Sequence, residues 1–213
     1  MYSYNAYFFD FDGTIGETGA DIRESWSAVI QKLDLPREHF ENHFQIGPTP
    51  MEFLNELFPD MPTTEKKYIF EAYKSFYDDR PDYQALPYPG ITDMLQQLHD
   101  AGKKVYIVTN KRYKPLSKLI SQFGYTNLVD GLFSPDISDP ENHLKKTDLL
   151  ALALRISGIP ADESLMIGDT GIDIAVGKAN HTATCAVTWG YGSRESLVDS
   201  APDHLIESPA ELP

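Results

Sequence analysis

Cysteine is nearly absent. Cys185 is the single one among 213 residues, so the chain forms no intramolecular disulfide. Its setting, Ala183-Thr184-Cys185-Ala186-Val187, reads as buried strand, and the thiol as a small core residue rather than a nucleophile. Long apolar runs are missing, and no basic-then-apolar leader opens the chain. Neither membrane spanning nor secretion is therefore expected, and a cytoplasmic location follows. Positive charge is scarce: 18 Lys and Arg stand against 32 Asp and Glu, a formal net charge of -14. That balance argues against nucleic acid or an anionic membrane as a partner. Internal repeats and low-complexity tracts are lacking as well. What remains is an ordinary apolar and aromatic complement, enough for a real core. The length suits one domain with an insertion, or a core domain plus a small one.

The most informative stretch lies near the start. Tyr7-Phe8-Phe9 is an apolar run that ends in Asp10-Phe11-Asp12-Gly13-Thr14. Hydrophobic residues before a polar cluster read as a buried strand opening into a turn. In an open parallel sheet, ligands bind at the carboxyl ends of strands. Two carboxylates there are costly unless paired, and a divalent cation is the usual partner. Alternate strand residues share a face, so Asp10 and Asp12 are expected to address one reacting centre. A carboxylate can attack phosphorus, and a second can protonate a leaving oxygen and then take a proton from water. Gly13 permits a tight turn that presents N–H groups to a phosphate. The same spacing also suits a plain acidic turn. The Gly13-Thr14 continuation and the later motifs favour the chemistry.

Helical periodicity follows. Ile22, Trp26, Val29, Ile30 and Leu33 fall on one face, and Pro36 lies past their end. Thr49-Pro50-Met51-Glu52 predicts a helix start, with Thr49 as N-cap and Glu52 completing a capping box. A third helix is expected from near Thr64, with Ile69, Tyr73 and Tyr77 inward. His39 and His43 are four apart, a spacing that can bind zinc, but no third ligand is placed with them, and a solvated stretch is favoured. From Gly90 onward, strands and helices alternate. Strands are expected at Val105–Val108, Leu132–Phe133, Leu165–Ile167, Thr182–Val187 and His204–Ile206. Such alternation implies a mostly parallel sheet covered by helices.

Three of these strands end in reactive polar groups: Asp10/Asp12, Thr109-Asn110-Lys111 and Asp169. A lysine pair, Lys145-Lys146, lies between the second and third. Asp10-Phe11-Asp12-Gly13-Thr14-Ile15 resembles the first motif of the haloacid dehalogenase superfamily, with Glu17 and Thr18 where Asp and Ser are usual. Gly168-Asp169-Thr170-Gly171-Ile172-Asp173 resembles its metal motif. Asp173-Ile174-Ala175-Val176-Gly177-Lys178-Ala179-Asn180, Val187-Thr188-Trp189-Gly190-Tyr191-Gly192 and Pro202-Asp203-His204-Leu205-Ile206 resemble phosphoglycolate phosphatases within it.

The resemblance implies a fold and a set of roles. The fold is α/β, a Rossmann-like, mostly parallel sheet core over 1-15 and 88-213, with an inserted α-helical cap over 16-87. Asp10 is the implied nucleophile and Asp12 the acid and base. Thr109, Asn110 and Lys146 hold the phosphoryl oxygens; Lys146 is preferred to Lys145 because Lys146-Thr147-Asp148 fits the motif better. Mg2+ is the implied cofactor, held by Asp10, Asp169 and the backbone carbonyl of Asp12, with Asp173 behind them. Gly47, in Ile46-Gly47-Pro48, is the candidate substrate loop of the cap. The implied reaction is Mg2+-dependent hydrolysis of a small phosphomonoester, phosphoglycolate being the nearest guess. A phosphomutase of the β-phosphoglucomutase type and a nucleotidase or pyrophosphatase are the alternatives. Dehalogenation needs neither Asp12 nor Asp169, and a pure binding module needs no such set. The expected partner is a small phosphorylated metabolite, and the expected state is a monomer or homodimer.

Overall fold

Tyr7, Phe8 and Phe9 are buried on both sides of the strand they form, which is why they read as a continuous apolar run rather than an alternating one. The computed structural model describes residues 3–136 and 144–213. The chain opens on β1 (Ala6–Phe9) and the short β2 (Gly16–Glu17). Four helices follow: α1 (Gly19–Leu33), α2 (Arg37–His43), α3 (Pro50–Leu57) and α4 (Thr63–Asp78). Then come β3 (Leu86–Pro87), α5 (Ile91–Asp100), β4 (Lys104–Val108), α6 (Tyr113–Gln122) and β5 (Gly131–Phe133). The last third carries α7 (Lys146–Ser157), β6 (Ser164–Gly168), α8 (Gly171–Ala179), β7 (Ala183–Val187), α9 (Arg194–Asp199) and β8 (His204–Ile206).

Two compact units result, Met1–Glu17 with Leu86–Pro213, and Thr18–Ala85. The division falls two residues inside the 15/16 and 87/88 limits written from the sequence. The reason is that Gly16–Glu17 and Leu86–Pro87 pair with each other as antiparallel strands.

The first unit holds a six-stranded sheet in the order β5-β4-β1-β6-β7-β8, and every neighbouring pair in it is parallel. The α/β class read from the alternation is therefore the observed one. Ala6 and Phe8 of β1, Tyr106 and Val108 of β4, and Met166 of β6 join Leu149, Leu150 and Ala153 of α7 in one core cluster. The chain runs outward from β1 through β4 to β5, then returns to β6 on the other side of β1. That reversal makes the carboxyl end of β1 a topological switch point, where open α/β sheets bind ligands. Register sharpens the point. Phe9 sits opposite both Ile107 and Ile167, so the segments leaving β1, β4 and β6 emerge side by side.

The second unit is helical. Trp26 of α1 stacks on Tyr73 of α4, with ring centroids 4.3 Å apart, and meets Phe53 of α3 edge-on at 5.3 Å. The capping box at α3 forms as the sequence predicts: Thr49 accepts from the Glu52 N–H, and Glu52 accepts from Thr49 N. The sequence does not reveal α2. It spans seven residues and buries one large apolar side chain, Phe40, which packs against Trp26 and Phe53. So short a helix leaves almost no periodic signal. His39 and His43 lie on it and are tied to backbone carbonyls, His39 Nε2 to Leu57 O and His43 Nδ1 to His39 O, both at 2.7 Å.

Asp21 is fully buried in this unit. Its carboxylate accepts the N–H groups of Gln84 (3.0 Å) and Ala85 (2.9 Å) and pairs with Arg80 at 3.1 Å, tying the first helix to the segment that leaves the unit. Arg80 also pairs with Glu24 at 2.7 Å, so losing Asp21 chiefly leaves the Gln84 and Ala85 N–H groups without their acceptor, at a cost of about 1–3 kcal/mol for each buried group. Asp21→Ala is therefore expected to lower the unfolding free energy of the helical unit by about 2–5 kcal/mol, measured by urea denaturation through the fluorescence of Trp26. A midpoint within error of the wild type would show the contact to be dispensable.

Candidate active site

Asp10 follows the last residue of β1, and its N–H donates to Ile167 O at 2.8 Å, which extends the ladder by one bond. One carboxylate oxygen accepts from the Phe11 N–H at 2.7 Å. The other lies 2.7 Å from Lys146 Nζ. Beyond Asp10 the backbone turns. Thr14, Ile15 and Gly16 each donate an N–H to Phe11 O, and Gly13 adopts φ +82°, the left-handed conformation that glycine accepts without strain. Asp12 therefore lies in a turn rather than on a strand, and the same-face argument does not govern it. Its carboxylate points to Lys111, with Oδ1 2.7 Å from Nζ.

β6 delivers Asp169 beside this turn. Asp169 Oδ1 accepts from the Thr14 hydroxyl at 3.0 Å, and Oδ2 from the Tyr191 N–H at 2.7 Å. The approach is close. A Cβ on Gly13 would lie 2.1 Å from Asp169 Oδ2, and one on Gly190 would lie 2.3 Å from both Asp169 Cβ and Gly13 O. Trp189 Nε1 donates to Thr14 O at 3.0 Å and ties the loop after β7 to the loop after β1. Asp173, in the first turn of α8, places Oδ1 2.6 Å from Lys146 Nζ and accepts at Oδ2 from the Thr170 N–H and hydroxyl. Lys146 thus stands between Asp10 and Asp173. It is the first residue of α7 and is buried, whereas Lys145 is the exposed N-cap.

Thr109 is buried at the end of β4. Its N–H bonds Phe133 O, and its hydroxyl oxygen accepts from the Lys111 N–H at 3.2 Å. Asn110 follows it, half-buried. Gly47 lies in the helical unit between α2 and α3, with φ +127°.

Asp10, Asp169 and Asp173 each offer an oxygen within 4.8 Å of the others, and all three are buried. Burial pushes the Asp169 carboxyl up to about 8. The Asp173 and Asp10 carboxylates add to the rise, and the bonds from Tyr191 and Thr14 oppose it. Burial also raises Asp173, partly offset by Lys146. For Lys146 burial alone would lower the pKa, but the Asp10 and Asp173 carboxylates outweigh it and hold the ammonium above its usual value. One ammonium thus sits among three buried carboxylates, and among the described residues no cation pairs with Asp169. Three hard oxygen donors with uncompensated negative charge suit a hard divalent cation. Asp10 and Asp169, which the motifs imply as metal ligands, both belong to this side-chain group. Asp173 belongs to it directly, and the Asp12 carboxylate is engaged with Lys111.

Lys111 itself is absent from the set that the motifs implied. The available signal was a basic residue two positions after Thr109, at the end of an apolar strand.

A sequence profile of the Haloacid dehalogenase-like hydrolase family matches residues 7–187. A phosphoglycolate phosphatase of Aquifex aeolicus is 28% identical over 211 residues, covering 96% of this chain and 92% of that one. The pyrophosphatase PpaX of Listeria innocua is 29% identical over 212 residues, with the same coverage of 96% and 92%. Among solved structures, a haloacid dehalogenase-like family hydrolase from Streptococcus pneumoniae superposes with a TM-score of 0.84 at 23% identity. That alignment covers 99% of this chain and 97% of the other.

The raised Asp169 carboxyl sets the sign of a pH effect in the metal-free protein. The unfolded chain ionises this group near its ordinary value, while the folded chain keeps it protonated to about 8. As pH rises from about 4 towards 8 the unfolded state therefore binds fewer protons, and this contribution to stability is lost. The melting temperature of EDTA-treated protein is expected to fall across that window, and Asp169→Asn to flatten the fall. Wild type and variant with parallel profiles would contradict the assignment.

Proposed function

The chain belongs to the haloacid dehalogenase-like hydrolase family, and from that premise we propose that it is a Mg2+-dependent phosphatase acting on a small phosphorylated metabolite through an aspartyl-phosphate intermediate. The observation that carries this reading is the placement of Asp10, with one oxygen on Lys146, inside a buried group of carboxylates that fits a divalent cation. The similarity to a phosphoglycolate phosphatase of Aquifex aeolicus and a pyrophosphatase of Listeria innocua supports the class, phosphate release from a small ester or anhydride.

Asp10 carries the nucleophilic oxygen. It attacks phosphorus, the bond from phosphorus to the leaving oxygen breaks, and that oxygen takes a proton from the Asp12 carboxyl. Asp12, now a carboxylate, takes a proton from water as the water oxygen attacks phosphorus. The bond from phosphorus to Asp10 breaks, which returns the free carboxylate and releases phosphate. Thr109 and Asn110 donate hydrogen bonds to the phosphoryl oxygens. Lys146 offsets the charge that gathers on them and orients Asp10. Asp10, Asp169 and the Asp12 backbone carbonyl are assigned as Mg2+ ligands, with Asp173 completing the group and holding Lys146. The bound ion would neutralise phosphoryl charge, the dominant contribution to phosphoryl transfer. In the helical unit, Ile46-Gly47-Pro48 is assigned as the substrate loop.

The test is phosphate release from a panel of phosphomonoesters and pyrophosphate, with Mg2+ and with EDTA. Release is expected with Mg2+ only. Asp10→Asn is expected to reduce it by at least about a thousandfold, the scale of losing a catalytic nucleophile, while leaving the melting temperature close to wild type. A folded Asp10→Asn protein with full turnover would remove Asp10 from the nucleophile's role.

A further inference from the structure

Asp169 is held by a closed circuit of contacts that the steps above do not use. Its Oδ1 accepts from the Thr14 hydroxyl at 3.0 Å. The Thr14 carbonyl accepts from Trp189 Nε1, also at 3.0 Å. Two residues after Trp189, the Tyr191 N–H donates to Asp169 Oδ2 at 2.7 Å. Both carboxylate oxygens are therefore fixed, one from the loop after β1 and one from the loop after β7. The Tyr191 side chain binds these two loops to each other. Its ring lies against Gly13, where a β-carbon would come within 2.7 Å of Tyr191 Cδ2. Its hydroxyl donates to Glu17 Oε1 at 3.3 Å and shares a hydrogen bond with Tyr88. One side chain thus spans the turn from Gly13 to Glu17, while the backbone of the same residue holds the carboxylate.

We propose that Tyr191 is a positioning residue: its side chain fixes the separation between Asp169 and the turn after Asp10, and so sets the affinity of the carboxylate group for Mg2+. This rests on the assignment of Asp10 and Asp169 as Mg2+ ligands. Two physical considerations support it. Mg2+ demands near-octahedral oxygen ligands at about 2.0–2.1 Å, so ligands whose separation drifts hold it weakly. Drift is the natural tendency here. Once ionised beside Asp10 and Asp173, with their oxygens within 4.8 Å, Asp169 is pushed outward, and the bonds from Thr14 and Tyr191 resist that push. The Tyr191 N–H can do so only while its loop stays seated on the turn, and the ring on Gly13 and the hydroxyl on Glu17 seat it. The plainer role, completing the fold around β7, would change the melting temperature and leave the affinity for the ion alone.

The experiment is calorimetric titration of Mg2+ into the EDTA-treated and dialysed full chain, without substrate, at one pH and well below the melting temperature. Tyr191→Ala is expected to raise the Kd for Mg2+ roughly ten- to a hundredfold, the scale of losing a group that orients a metal ligand. Tyr191→Phe keeps the ring on Gly13 and loses the bond to Glu17. It is expected to recover most of the affinity, with a Kd about two- to fivefold above wild type, a share of one hydrogen bond. A folded Tyr191→Ala protein with the wild-type Kd would overturn the assignment, whatever its melting temperature. Should that variant fail to fold, an unchanged Kd in Tyr191→Phe would overturn it equally. Either result leaves the phosphatase reading standing, since the wild type still binds the ion. A folded wild type that takes up no Mg2+ would overturn the Mg2+ assignment and this inference together.

Discussion

Carboxylates do not enter a protein interior unless something answers their charge, and here three are buried together, two just past adjoining strand ends and one in the first turn of a helix. The first unit is built around answering that charge. Parallel pairing of β1 with β4 and β6 brings the three strand exits together, and two helices begin where the carboxylates need help. α7 contributes Lys146 from its first residue. α8 contributes Asp173 from its first turn, where the partial positive charge of a helix N-terminus favours an acid. The arrangement remains short of positive charge, and burial, with the neighbouring Asp173 and Asp10 carboxylates adding to it, raises the Asp169 carboxyl. A divalent cation bound there would act on both stability and chemistry, since the site that completes the reaction also relieves the fold.

Much of this is legible in the sequence, for a physical reason. Strands buried on both faces must be apolar throughout, so Tyr7-Phe8-Phe9 and Val105-Tyr106-Ile107-Val108 stand out, and any carboxylate or hydroxyl at their ends stands out with them. The choice between Lys145 and Lys146 is one of helical phase. Lys145 is the cap residue and faces solvent, while Lys146 begins the helix and turns inward. Spacing to the following residues carries that information. The capping box at Thr49 is equally local, because a hydroxyl, a proline and a glutamate in four residues suffice to define it.

The rest depends on contacts between residues far apart in the chain, which local pattern does not encode. Asp12 reads as the strand-mate of Asp10, but the turn after Phe11 sends its carboxylate to Lys111, 99 residues away. Asp173 reads as an acid behind the metal ligands. It is both the cap partner of Thr170 and a member of the buried carboxylate group, two roles that one residue type fills at one position. Asp21 gives no signal at all, because its partners are the backbone of Gln84 and Ala85. α2 is lost for want of length.

The glycines at 13, 168, 190 and 192 have a consequence for how such a protein changes over time. At each, the place of a β-carbon is already taken by Asp169 or Asp173 atoms, at 2.0–2.3 Å. Any side chain there must displace the charge cluster itself, so inherited variation at these four positions is closed off whatever the substrate. New substrate preferences can then arise only from residues that border the cluster without being wedged into it. The chemistry is thereby insulated from the drift that retunes selectivity, and a lineage can exchange one phosphorylated compound for another while its reacting centre stays unaltered.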